Sequence, residues 1–175
     1  MRRVILSVAM SIDGYIAGPE EEIDWLFTDQ DYGMAEFFRT IDTALIGRKT
    51  FDFMRGMGEA GYKGLRNVVF SRSPAPSGLP GNVEWITEDP AVFVKRMREE
   101  DGKGLWLVGG GELFQYLLDT GLVDAMTVAV HPMVLGNGIP LFPDGHGRVP
   151  LDLEGVQSFE SGLVILRYRV PRHRT

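Results

Sequence analysis

Cysteine is absent from the 175-residue sequence, which excludes disulfides, thiolate metal sites and a cysteine nucleophile, and fits a reducing compartment. Histidine is scarce. His131, His146 and His173 show no ligand spacing, so no metal site is expected. Uninterrupted apolar runs are short, and none approaches the ~20 residues of a membrane-spanning helix. Met1-Arg2-Arg3 has the charge of a signal n-region, but Ser7, Ser11 and Asp13 break the following apolar run too early for an h-region. Positive charge is in deficit, the formal net charge being -6. An acidic surface repels phosphate backbones and argues against nucleic acid as a partner. The one basic cluster, Arg167, Arg169, Arg172, His173 and Arg174, reads as a solvated terminal strand and tail. These absences lead to the expectation of a cytoplasmic protein that engages neither membrane nor nucleic acid.

Apolar residues make up 44% of the chain, enough for a substantial core and too many for disorder. The length suits a single domain over residues 1–175, with no repeat, low-complexity segment or dividing linker. Val4 to Met10 is nearly continuous apolar sequence, as in a strand covered on both faces. Further strands are expected at 43–46, 67–71, 83–86, 105–108 and 124–132, with a hairpin over 156–160 and 163–170. Helices are expected at 31–41, 50–55, 90–100 and 112–120; Asp89-Pro90 starts the third and Gly121 stops the fourth. Strands alternate with helices until two strands come together at the end. The pattern predicts an α/β fold of three layers, αβα, with a mostly parallel sheet and an antiparallel C-terminal edge hairpin.

Three strand ends carry chemistry. Val108-Gly109-Gly110-Gly111-Glu112-Leu113-Phe114 runs from a strand through glycines into a helix. Bare backbone N–H groups and the positive end of a helix dipole favour an anion there; a tight packing turn is the other reading. The spacing is not G-x-G-x-x-G. Gly47-Arg48-Lys49-Thr50 places two cations and a hydroxyl at a second strand-to-helix junction. Arg48 can grip a phosphate bidentately and Lys49 adds a point charge; alternatively they are a solvated pair beside a Thr50 cap. Ser71-Arg72 ends another strand. Ligands of open α/β sheets bind beyond such ends, so one anionic ligand spanning all three is expected. After the first strand, Ser11-Ile12-Asp13-Gly14-Tyr15-Ile16-Ala17 forms a turn in which Asp13 bonds its own backbone or takes part in chemistry.

The four motifs, in this order, resemble the dihydrofolate-reductase-like superfamily, and within it the reductase domain of the bifunctional deaminase-reductases of riboflavin biosynthesis. Leu122-Val123-Asp124 and Gly136-Asn137-Gly138-Ile139-Pro140-Leu141-Phe142 are similar to the closing part of that family, and the resemblance spans nearly the whole chain. It implies NADPH across the strand ends and hydride transfer to a C=N or C=O carbon of a heterocycle, as in 5-amino-6-(5-phosphoribosylamino)uracil reductase. It implies that Ala9 meets the nicotinamide carboxamide, that Arg48, Lys49 and Thr50 hold phosphates, that Ser71 and Arg72 flank adenosine, and that Gly109 to Phe114 close over the pyrophosphate. It also implies a homodimer. Gly109 stands where the riboflavin-type reductases carry an acid, which sets this chain apart in its substrate. Dihydrofolate reductase is one alternative activity, and nucleotide binding without turnover is another. Asp31 lies at the distance of the pterin-binding carboxylate, or is simply the N-cap of its helix; Arg66 lies one position off the folate-tail arginine. Asp31 and Asp13 are the candidate proton donors. His131 reads as structural, and Tyr15 and Trp25 as an aromatic wall or as core.

Overall fold

The computed structural model describes residues 1–145 and 147–171. His146, Arg172, His173 and Arg174 lie outside the described residues, so the basic tail is traced only as far as Arg167 and Arg169. The chain runs β1 (Val4–Ser11), β2 (Tyr15–Ala17), α1 (Met34–Thr40), β3 (Ile41–Gly47), α2 (Arg48–Gly56), β4 (Arg66–Phe70) and β5 (Val83–Ile86). It continues α3 (Pro90–Glu99), β6 (Gly104–Gly109), α4 (Gly111–Asp119), β7 (Ala125–His131), β8 (Ile139–Pro140), β9 (Asp152–Ser158) and β10 (Val164–Arg169).

Eight strands form one sheet in the order β5-β4-β3-β6-β1-β7-β10-β9. Pairing is parallel from β5 through β7, and β10 and β9 are antiparallel. This is the expected α/β architecture. Side-chain alternation along each strand explains the layers. Leu45, Leu105 and Leu107 face the cluster built with α3 and α4. Ala44, Ile46 and Trp106 face the opposite cluster, with Phe51 of α2 and Phe37 and Phe38 of α1. Two short segments expected to be loop, β2 and β8, pair with each other in a separate two-stranded sheet.

The expected helix over 31–41 begins only at Met34. Tyr32 and Gly33 both have positive φ, 51° and 83°, which a helix cannot propagate through. Ile41 already belongs to β3. The helix expected from Thr50 starts at Arg48, directly after Gly47. The final hairpin is shifted from the expected strands because β9 begins at Asp152 and is mostly exposed, so its sequence lacks a buried face to betray it. No helix among the described residues is long and apolar enough to cross a membrane.

Charged pairs hold the end of the sheet where the parallel strands begin. Arg98 is 5% exposed, bonds Asp124 at 2.8 Å and donates to the Leu122 carbonyl at 3.2 Å. Asp124 also accepts from the Val4 amide at 2.9 Å, tying α3 and β7 to the first residue of β1. Arg2 bonds Asp42, the Thr43 hydroxyl at 2.9 Å and the Lys103 carbonyl at 2.7 Å. Removing one partner of such a buried pair leaves an uncompensated charge. Asp124→Ala is therefore expected to lose about 3–5 kcal/mol in urea denaturation; a loss under about 1 kcal/mol, the scale of an exposed pair, contradicts this account.

Candidate functional site

The parallel register brings the three sequence motifs to one edge. Gly47 pairs with Phe70, so Ser71 follows directly alongside, and Ile46 pairs with Gly109. Helices α2 and α4 leave from this edge. Their N-caps are Gly47 and Gly110, and neither has a side-chain cap. Two sets of first-turn amides therefore open on the same region. They carry the positive ends of two helix dipoles.

Each glycine of the 109–111 run has a local reason. Gly109 and Gly110 have φ of 146° and 93°, which side chains rarely adopt. A Cβ on Gly110 would sit 3.1 Å from the Thr50 hydroxyl, and one on Gly111 would sit 3.2 Å from the Pro140 carbonyl. The turn alone accounts for three glycines. What points to an anion is the pair of uncapped helix ends and the cations around them.

Arg48 bonds Asp52 at 2.6 Å, one helical turn on, and its guanidinium lies 5.3 Å from the centre of the Trp85 ring. Lys49 reaches across to Glu112 in the first turn of α4 at 2.7 Å. The Lys49 ammonium, and then Arg72, hold the Glu112 carboxyl below the ordinary glutamate range. The Ser71 hydroxyl accepts from the Ser73 amide at 3.0 Å and shapes its own turn. Val108, Leu113 and Phe114 pack into the two cores around the turn. Asp52 was legible as the i,i+4 partner of Arg48. Trp85 was not, because only the β4–β5 pairing brings it near.

Ala9 lies farther along the same edge, paired with Ala129. Beyond it, Ser11 pairs with His131. His131 is 3% exposed, its Nδ1 is 3.1 Å from the Ala129 carbonyl, and Trp25 and Phe27 meet its ring edge-on at 5.3 and 5.1 Å. Burial pushes the imidazole pKa down. Trp25 is core-like at 8% exposure, and its buried Nε1 has no hydrogen-bond partner among the described residues. Tyr15 pairs with Pro140 in the small sheet.

The two carboxylates singled out as proton donors are occupied otherwise. Asp13 accepts from the Ser11 hydroxyl at 2.6 Å and from the Leu135 and Gly136 amides at 3.1 and 2.8 Å. These bonds, the serine hydroxyl first, hold its carboxyl below the usual aspartate value, so it is not protonated near neutral pH. Asp31 is exposed and accepts from the Gly33 and Ala35 amides at 3.1 and 3.0 Å; it lies two residues before Gly33, which is the N-cap of α1, and its carboxylate ties the entry to the first turn. Arg66 stands at the start of β4, at the opposite edge of the sheet, bonded to Glu84 at 2.7 Å and Glu100 at 3.2 Å. It takes no part in this site. No group of three metal-ligating side chains occurs among the described residues.

The model of the RibD C-terminal domain matches residues 2–165. The chain belongs to that family. Across 95% of its length it is 34% identical to the uncharacterized protein YyaP of Bacillus subtilis (strain 168), covering 94% of that protein. It is 33% identical to the uncharacterized protein YwjB of the same organism, over 90% of this chain and 92% of that one. Among solved structures, a putative riboflavin biosynthesis protein from Shewanella sp. PV-4 superposes with a TM-score of 0.85 at 22% identity, covering 97% of this chain and 99% of the other. Dihydrofolate reductase from Enterococcus faecalis, complexed with NADP(H) and RAB-propyl, superposes at 0.70 with 18% identity, covering 96% of each chain. The family therefore shares the fold of dihydrofolate reductase.

Two outcomes test this geometry. Gly110→Ala forces a side chain into left-handed backbone beside Thr50 and is expected to cost about 1–2 kcal/mol of stability by urea titration. His131 has a folded pKa below the ordinary value of about 6.5, so the unfolded chain binds its proton first as pH falls. Its stabilising contribution is complete above about pH 6.5 and shrinks as pH drops towards the folded pKa. Stability measured at pH 7.5 and pH 5.5 should fall less steeply in His131→Asn; an unchanged slope rules His131 out as the source.

Proposed function

We propose that this chain is an NADPH-dependent reductase that delivers hydride to a C=N or C=O carbon of a flat heterocycle, in the manner of 5-amino-6-(5-phosphoribosylamino)uracil reductases. The observation that carries the reading is the meeting of two uncapped helix N-termini with Arg48, Lys49 and Arg72, where Asp52 and Glu112 pair with Arg48 and Lys49 and the free first-turn amides remain. Amide donors and guanidinium and ammonium groups are the donor set that a dinucleotide with a 2′-phosphate requires. The residues present fit the cofactor.

In this reading the first-turn amides of α2, at Arg48 to Thr50, and of α4, at Gly111 to Leu113, bind the pyrophosphate, with Gly47, Gly109, Gly110 and Phe114 shaping the two turns. Arg48, stacked on Trp85, binds the 2′-phosphate, and Ser71 and Arg72 flank the adenosine. The Ala9 backbone orients the nicotinamide carboxamide. Bound NADPH supplies the hydride; the protein supplies position and a dry surface. The Trp25–Phe27–His131 cluster borders the acceptor. The accompanying proton comes from solvent water, because Asp13 and Asp31 are committed to backbone amides. Gly109 in place of an acid favours a heterocycle other than the ribosyl phosphate of the riboflavin pathway. Dihydrofolate remains the comparison substrate, although the position of Arg66 removes one support for it. The working form is a cytoplasmic homodimer, to be checked by light scattering.

NADPH fluorescence titration followed by NADPH oxidation with dihydrofolate and with the aminouracil ribosyl phosphate tests the reading. No binding at millimolar NADPH defeats it, whereas binding without turnover on any heterocycle favours a nucleotide-binding protein. Arg48→Ala should weaken NADPH about tenfold or more, the scale of a hydrogen bond to a charged group, and NADH much less. Equal losses on both nucleotides would refute the assignment of Arg48 to the 2′-phosphate.

A further inference from the structure

Both cations at the α2 N-terminus are already neutralised by carboxylates of the chain, but in different ways. Asp52 belongs to the same helix as Arg48, one turn on. Glu112 belongs to α4, so the Lys49–Glu112 pair spans the gap between the first turns of two helices that lie on opposite faces of the sheet. That gap is where the two uncapped N-termini meet. The pair does little for the fold. Its side chains are 80% and 74% exposed, and exposed ion pairs contribute little to stability. Glu112 nevertheless sits at a positive focus. It lies in the first turn of α4, accepts from Lys49, and feels Arg72 as a second, weaker cation.

An anion is thus built into the place where the dinucleotide's phosphates belong. Resting on the NADPH reading above, we propose that the Glu112 carboxylate competes with a cofactor phosphate for Lys49: it holds the ammonium in the free protein and gives it up when the cofactor binds. Glu112 then sets affinity downward while keeping Lys49 extended over the groove. Its backbone amide serves the cofactor and its side chain opposes it. Salt weakens both contacts, so the competition is strongest at low ionic strength.

A double-mutant cycle on the full chain reads this directly, by NADPH fluorescence titration at low ionic strength of wild type, Glu112→Gln, Lys49→Met and the double variant. Glu112→Gln is expected to tighten NADPH about threefold, the fold-change that corresponds to releasing one exposed ion pair. With methionine at 49 the same substitution should leave the dissociation constant unchanged. Unchanged or weaker binding by Glu112→Gln overturns the proposal. So does an equal gain in both backgrounds, which identifies general charge repulsion rather than competition for Lys49. Both positions are exposed, and thermal melts of each variant matching wild type verify that folded protein is being titrated. Failure of the wild type itself to bind NADPH overturns the underlying reading, and is distinct from binding that ignores Glu112.

Discussion

Parallel pairing of β3 with β6, and of both with their neighbours, forces every connection to travel back along a face of the sheet, because no tight turn can join parallel strands. Most returns include a helix, the one from β4 to β5 being a loop, and α2 and α4 start directly where β3 and β6 end. The central strands all finish at one edge. Helix N-termini, glycine turns and the residues just beyond each strand gather there without any residue having been placed for chemistry. The buried pair Arg98–Asp124, and buried Arg2 bonded to half-buried Asp42, secure the opposite edge. The division follows from geometry: one edge is closed by charge pairing around two buried arginines, and the other is left open with helix N-termini that carry no side-chain cap.

That division explains what the sequence could reveal. Strand-to-helix junctions are local events, so Gly47-Arg48 and Val108-Gly109 could be read directly, together with the buried strands leading into them. Adjacency of the two junctions follows once the sheet is parallel. By contrast, β9 is an exposed edge strand whose C-terminal half alone was legible in the hairpin, and β2 and β8, held by each other across more than a hundred residues, leave no periodic mark. Trp85 beneath Arg48 likewise depends on a strand pairing that no local pattern encodes.

The carboxylates were the hardest to read. An aspartate in a loop looks the same whether it donates a proton or ties that loop. Asp13 and Asp31 are distinguished only by what faces them: backbone amides fill their acceptor sites. The glycine run teaches the converse. Positive φ at 109 and 110 and the crowding of Gly111 by Pro140 explain the glycines without a ligand. The weight of the functional reading passes to the charges around them.

Asp13 has one more consequence. Its bonds to Leu135 and Gly136 join positions 122 and 123 residues apart in sequence. Closing a loop of that length costs chain entropy that only an already assembled sheet offsets. The clasp between the two segments therefore holds only while the sheet beneath it stands. Its bonds and the β2–β8 pairing join the 12–18 and 133–140 segments, so the two are expected to open together before the parallel core does.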